Sequence, residues 1–503
     1  MSLWPHLETP RITRRTRFNE KSTGSLDALL VVVPENASPK AFASLPEPER
    51  WRGLHAQSPA RAGAVRSTVL ANNHQTFAVL GYSRANASAF EQLSLAGRML
   101  KEAGRTNLES LGLTVVGETT AGAQAAATAM VDALLSAAFA HAFSLPSFRS
   151  KSPSERKLLS IEVVAEEIPD QRYIEASARG NNLVRWLTAM PPNKLDAPTY
   201  RKLIADAARE AGLSMQWLDE NALKKLGAGA FLAVSQGNAD RLAGIAHLKY
   251  RPTKKAVESP DVALVGKGIL FDTGGTNLKP HRSMLDMHID MSGSAVALAT
   301  LLALAEMRSP LAADAWLAIT ENRIGPTAFK PQDVITASNG VTIQVIHTDA
   351  EGRMVLADTL ALAGKTKPRL MIDYATLTGT MVYALTERMS GVITNTASLE
   401  AKLLQAGRSS GERVWTFPFD EDYDSDLESK VADIVQCSLE SKGDHILAAR
   451  FLSRFVPKET PWVHMDLSAV SRSGGLGHIN TDITGFGVRY TLDLLLKQKA
   501  HEA

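Results

Sequence analysis

Short runs of consecutive apolar residues recur along this chain, and stretches with helical spacing separate them. Leu26–Pro34 (LDALLVVVP), Gln75–Tyr82 (QTFAVLGY), Leu111–Gly117 (LGLTVVG) and Lys157–Ala165 (KLLSIEVVA) are the first four. A strand apolar on both faces must be covered on both faces, as in parallel sheets sandwiched between helices. Between the runs lie Asn86–Ala103, with Asn86 as a candidate N-cap, and Ala121–Phe143. Strands alternating with helices predict an α/β domain on a largely parallel sheet. Pro169–Met190 is a further helical stretch, stopped by Pro191-Pro192-Asn193. A second α/β series follows. Pro198–Ala211 is helical and Gly229–Ser235 is an apolar run. Gly244–Tyr250 and Asp261–Val265 read as strands, and Ser294–Met307 as a strongly apolar helix. Trp316–Thr320, Gln344–Ile346 and Leu370–Tyr374 complete a set of buried strands. Single cores stop growing near roughly 250–300 residues, so 503 residues call for two domains. The predicted division is an α/β domain over 1–170, a helical connector over 171–195 and a larger α/β domain over 196–503. Residues 1–25 are polar and basic and read as a loose arm.

Composition removes several classes of function. The 55 basic and 53 acidic residues leave a net charge of +2, so no whole-protein field points to nucleic acid or an anionic membrane. The local run Arg11, Arg14, Arg15, Arg17 reads as solvated. Cys437 is the only cysteine, which excludes a disulfide framework and a Cys-rich zinc site. The N-terminus lacks the apolar core of a signal peptide. The nearest approach to a membrane span, Ala121–Phe143, carries Asp132 and His141 and is expected as a buried helix. A cytoplasmic location is the expectation.

Two segments differ from their surroundings. In Val265–Gly293 (VGKGILFDTGGTNLKPHRSMLDMHIDMSG) an apolar strand runs into Gly266-Lys267-Gly268, with Asp272, Lys279 and Asp290 following. In His347–Asp358 (HTDAEGRMVLAD) the strand Gln344–Ile346 leads to Asp349, Glu351 and Arg353. If the chain stays extended there, Asp349 and Glu351 point to one side. Buried together, two such carboxylates require cations. Asp272, Asp290, Asp349 and Glu351 are too many for one structural zinc, which prefers Cys and His. Their oxygens suit Mg²⁺, Mn²⁺ or Zn²⁺, as two ions about 3.5–4 Å apart. Taken singly, each charge reads first as a solvated surface group. Concentration in two glycine-threaded segments, each followed by an apolar helix, favours a metal or phosphate site.

These residues resemble the leucyl aminopeptidase family of dimetal cytosol aminopeptidases. VGKGILFDTGG with LKP and DMSG resembles that family's first signature, and HTDAEGRM its octapeptide Asn-Thr-Asp-Ala-Glu-Gly-Arg-Leu. DYATLTGT (373–380), GAFLAVSQGN (229–238), MPPNKL (190–195) and TGFGVR (484–489) extend the likeness over about residues 175–495. The resemblance implies a metal-dependent aminopeptidase acting on short peptides, with two divalent ions per subunit (Zn²⁺ or Mn²⁺, with Mg²⁺ a further candidate). Lys267, Asp272, Asp290 and Glu351 would bind the more exchangeable ion. Asp272, Asp349 and Glu351, with the Asp349 carbonyl, would bind the tighter one. A ligating lysine must be neutral, far below the usual pKa of about 10.4. Lys279 would stabilise the oxyanion, and Arg353 would hold a bicarbonate acting as general base. Met287, Thr376, Leu377 and Gly379 fall where the family lines its pocket, with ordinary core packing the lesser reading of Met287 and Leu377. His347 replaces the octapeptide's Asn and is either a specificity or a structural residue. Thr273 and Asn277 stand where serines are usual. The resemblance also implies a cytoplasmic homohexamer, a dimer of trimers, and leaves open an additional DNA-binding or regulatory role.

Overall fold

The computed structural model describes residues 5, 7–57, 59–117, 121–151, 157–252, 259–440 and 442–502. Among them, two sheets organise the chain. The smaller has six strands, in spatial order Arg11–Arg15, Ser160–Val164, Ser110–Val115, Ala28–Pro34, Phe77–Ser83 and Val65–Val69. Every pairing in it is parallel except the last. The helices Ala89–Ala103 and Ala121–His141 pack on it through Leu95, Met99, Leu134 and Phe139. The first of these helices is capped by Ser88 in a capping box with Glu91, so Asn86 lies outside it. The expected loose arm is instead an edge strand where the described residues begin: Arg11–Arg15 pairs with Ser160–Val164, and Arg15 meets Glu162 at 2.5 Å. Backbone pairing fixes that arm without any apolar pattern to announce it. Residues 1–4 and 6 of the arm lie outside the described residues.

The second sheet has eight strands. Its centre is four parallel strands, Trp462–Asp466, Leu370–Ala375, Val262–Asp272 and Ala313–Asn322. Antiparallel neighbours flank them, with Ser390–Thr394 on one side and Gly244–Tyr250 and Ser214–Asp219 on the other. Together the two sheets make a mixed α/β protein with a smaller N-terminal and a larger C-terminal part. Gln344–Ile346 is not part of the main sheet. Thr342–Gln344 belongs to a small sheet with Val334–Thr336 and Ile434–Val435, because the chain turns away at Val345. The apolar run Gly229–Ser235 is a helix.

Helix Ser292–Glu306 is apolar all round because it is enclosed on all sides. It lies between the central strands and helix Gln171–Thr188. Among the described residues, Met287–Glu306 is long and apolar enough to cross a membrane by composition, and 78% of its most apolar window is buried in the protein. The two halves are joined by polar contacts as well as packing. Arg489, on the terminal helix Val488–Leu496, donates to Asp132 at 2.5 Å and Ser136 at 2.9 Å on helix Ala121–His141.

Candidate metal centre

In a parallel sheet the carboxyl ends of the strands carry the chemistry. Here the four central strands end in Asp272, Asn322, the loop after Ala375, and Asp466. Lys267 lies within its strand rather than at its end, because pairing with Ala313–Asn322 continues past it to Asp272. A register shift between Thr320 and Asn322 re-aims Asn322. Its Nδ2 donates to Asp272 Oδ1 at 2.8 Å and to the Thr348 carbonyl at 3.0 Å.

Asp290 arrives on the short 3₁₀ turn Met287–Met291 that opens helix Ser292–Glu306. That turn can sit over the strand because residue 293 is glycine: a Cβ there would lie 2.1 Å from the Tyr374 carbonyl oxygen. Glu351 is not at a strand end beside Asp349. It is the first residue of helix Glu351–Gly364, and Asp349 is in the preceding turn. The extended i, i+2 geometry is therefore corrected to a turn followed by a helix start. The outcome is still convergence. Carboxylate oxygens of Asp272, Asp290 and Glu351 lie within 4.8 Å of one another, and all three residues are buried. Gly352 permits the approach, since a Cβ there would fall 2.6 Å from Lys267 Cε and Nζ.

Two lysines complete the cluster. Lys267 Nζ reaches Asp290 Oδ1 at 2.8 Å, Glu351 Oε1 at 3.0 Å and the Thr376 carbonyl at 2.9 Å. Lys279 Nζ reaches Asp272 Oδ2 at 3.0 Å and Asp349 Oδ1 at 2.5 Å. Burial opposes the charge on both lysines. The surrounding carboxylates outweigh it and hold both ammonium groups above their ordinary values. Burial first, then repulsion by Asp272 and Asp290, raises Glu351; burial and Asp272 raise Asp290 and Asp349. A set of carboxylates held partly against ionisation is one that divalent cations would restore. Asp290 Oδ2 and Glu351 Oε2 are buried with no hydrogen-bond partner among the described residues. Orphaned carboxylate oxygens facing one point fit hard or borderline divalent ions. Protein groups alone leave Lys267 protonated, so ligation by it requires the cations to displace that proton.

The cluster opens into a cavity of about 670 Å³, lined also by Met287, His347, Arg353, Thr376, Leu377 and Gly379. The residues named on sequence as metal ligands, as catalytic groups and as pocket lining thus share one space. His347 is exposed, and its Nδ1 accepts from the Asp349 amide at 3.2 Å. Arg353 is buried and donates through Nη2 to Asp444.

Several positioning residues were not found on sequence. Thr348 Oγ1 accepts from the Asn277 amide at 2.8 Å, and the Thr348 amide donates to Asn277 Oδ1 at 2.9 Å, so the two charged segments are stitched together. On sequence Asn277 is only a departure from the usual serine. Gln436 accepts from the amides of Ile346 and His347 and donates to the Ala350 carbonyl at 3.0 Å. Asp466 accepts from the Leu377 amide at 3.0 Å and Thr378 Oγ1 at 2.6 Å, fixing the pocket loop. A polar residue ending an apolar run, as in WVHMD, was the available signal for Asp466.

Comparison with known proteins gives a consistent set of relatives. A family model described as the cytosol aminopeptidase family, catalytic domain, matches residues 182–492. A "Probable cytosol aminopeptidase" of Stutzerimonas stutzeri is 41% identical over 340 residues, covering 65% of this chain and 66% of the relative. One from Syntrophotalea carbinolica is 39% identical, covering 67% of this chain and 66% of the relative. The chain thus spans slightly less than two thirds of these relatives' length. A third, from Parasynechococcus marenigrum, is 36% identical over 83% of this chain and 85% of the relative. Among solved structures, a bottromycin maturation enzyme in complex with Mn has a TM-score of 0.80 at 28% identity, covering 94% of this chain and all of that one (100%). A mutant tomato leucine aminopeptidase has a TM-score of 0.83 at 25% identity, covering 97% of each chain.

Proposed function

The chain belongs to the cytosol aminopeptidase family, and on that premise we propose that it is a metal-dependent aminopeptidase removing the N-terminal residue of short peptides. The observation that carries this is the convergence of Asp272, Asp290 and Glu351, buried and within 4.8 Å, at the base of an open cavity. Lys267, Asp272, Asp290, Asp349 and Glu351 would hold two divalent ions. Such a pair, when bound, acidifies water and polarises a carbonyl.

The chain's own groups do the rest. Lys279 keeps its positive charge beside Asp272 and Asp349 and would stabilise the negative charge that develops on the substrate carbonyl oxygen. Met287, Leu377 and Val382 give the cavity an apolar wall for the first side chain. Asp466 keeps that wall in place through the Leu377 and Thr378 contacts. His347 is exposed at the cavity, which supports a contact with substrate. The hexamer and a cytoplasmic location belong to the same proposal.

The test is turnover of a panel of aminoacyl anilides by protein loaded with Mn²⁺ or Zn²⁺, before and after chelation. We expect cleavage that chelation abolishes and metal restores. Undiminished cleavage by protein shown to be metal-free would refute it. A monomeric sedimentation coefficient would remove the hexamer alone.

A further inference from the structure

Arg353 has 2% of its side chain exposed, and its guanidinium stands at the cavity wall. A buried guanidinium requires an anion beside it. Nη2 donates to both carboxylate oxygens of Asp444, at 2.9 and 2.8 Å, and Nη1 donates to the Gln436 carbonyl at 3.3 Å. Asp444 is the first residue of helix Asp444–Ser453 and lines the same cavity as Asp272 and Glu351. A quarter of its side chain, 25%, stays exposed there.

Two other carboxylates outside the metal cluster line this cavity. Asp466 is spent on Leu377 and Thr378, and Glu387 sits on an exposed turn. Asp444 alone is both held in a fixed pose by a buried cation and open to the cavity.

We propose that Asp444 is a built-in anion that takes the place at Arg353 which the sequence resemblance gives to bicarbonate. The inference rests on the aminopeptidase reading of the cavity. Arg353 then aims a protein carboxylate and binds no exchangeable oxyanion. Asp444 accepts a proton from the attacking water as that water's oxygen bonds to the scissile carbonyl carbon. The same proton passes to the departing amine as the C–N bond breaks. The balance closes without any co-reactant, so turnover needs no dissolved CO₂.

The test compares wild type, Asp444→Ala and Asp444→Asn, each metal-loaded, in buffer purged of CO₂ and in buffer with added bicarbonate, formate or acetate. Wild type should change by less than about twofold. Asp444→Ala should fall by about 10²-fold in purged buffer, in the range for loss of a general base, and recover with each small anion. Asp444→Asn keeps an amide against the guanidinium, so it should fall similarly and resist rescue. A second measurement reads occupancy without turnover: ¹³C-bicarbonate line broadening and thermal shift. Bicarbonate should broaden and stabilise with Asp444→Ala and not with wild type. Bicarbonate-dependent turnover or bicarbonate binding in wild type would overturn the proposal. So would a folded Asp444→Ala with wild-type turnover in purged buffer. If no form cleaves peptide, the aminopeptidase reading fails, and the binding measurements still decide who occupies Arg353.

Discussion

Replacing Asn322 by alanine removes a group that touches no substrate yet supports the whole centre. Its Nδ2 is shared between Asp272 Oδ1, at 2.8 Å, and the Thr348 carbonyl, at 3.0 Å, in a fully buried setting. A hydrogen bond to an ionised carboxylate is worth about 1.5–3 kcal/mol, and an unsatisfied buried carbonyl costs about 1–3 kcal/mol. The metal-free protein should therefore lose about 2.5–6 kcal/mol of stability. Asp272 keeps its bonds from the Gly274 amide, at 2.8 Å, and from Lys279, at 3.0 Å. It would remain in place but be oriented less firmly. Loss of a supporting partner of this kind costs metal sites about 10–100-fold in affinity. Calorimetric titration of stripped protein with Mn²⁺ reads the affinity, and urea denaturation reads the stability. Affinity within about threefold of wild type, below that range, together with an unchanged denaturation midpoint, would show that Asn322 does not orient Asp272.

Gly352→Ala forces a methyl to 2.6 Å from Lys267 Cε and Nζ; overpacking of about 1–3 kcal/mol is expected, with metal content measured on the folded fraction falling. Lys279→Ala should lower kcat by about 10²–10³-fold, the range for a lost oxyanion donor, with metal retained, as elemental analysis beside steady-state kinetics would reveal. Burial pushes the Glu412 carboxyl from 4.5 up to about 7. The folded chain therefore holds a proton that the unfolded chain releases between those values, and this contribution to stability is present below 4.5 and lost as pH rises through about 7. Glu412→Gln should reduce the decline in Tm between about pH 5 and about pH 8, and an unaltered decline would refute that assignment.

The α/β class and the two charged segments were legible because both are local. Apolar runs mark buried strands, and charge among glycines marks an odd place for charge. What escaped were contacts between positions far apart in the chain. Asn322 reaches Asp272 through a register shift, which no periodicity records. Asp444 reaches Arg353 from 91 residues away. Asp349 and Glu351 looked extended because an apolar strand precedes them, yet a turn follows Val345 and a helix starts at Glu351. Ser88 with Glu91 spells a capping box in the sequence itself, and that reciprocal pair, not Asn86, caps the helix. The edge strand Arg11–Arg15 shows no apolar alternation, since pairing rather than burial holds it.

The hold of Arg489 on Asp132 and Ser136 ties helix Val488–Leu496 to helix Ala121–His141, far earlier in the chain. Ribosomal synthesis releases helix Ala121–His141 long before helix Val488–Leu496, so the earlier helix must wait, with that flank uncovered, until the later one has emerged. Truncation ahead of Val488 would make that wait permanent, and its damage would surface at Asp132, 357 residues before Arg489.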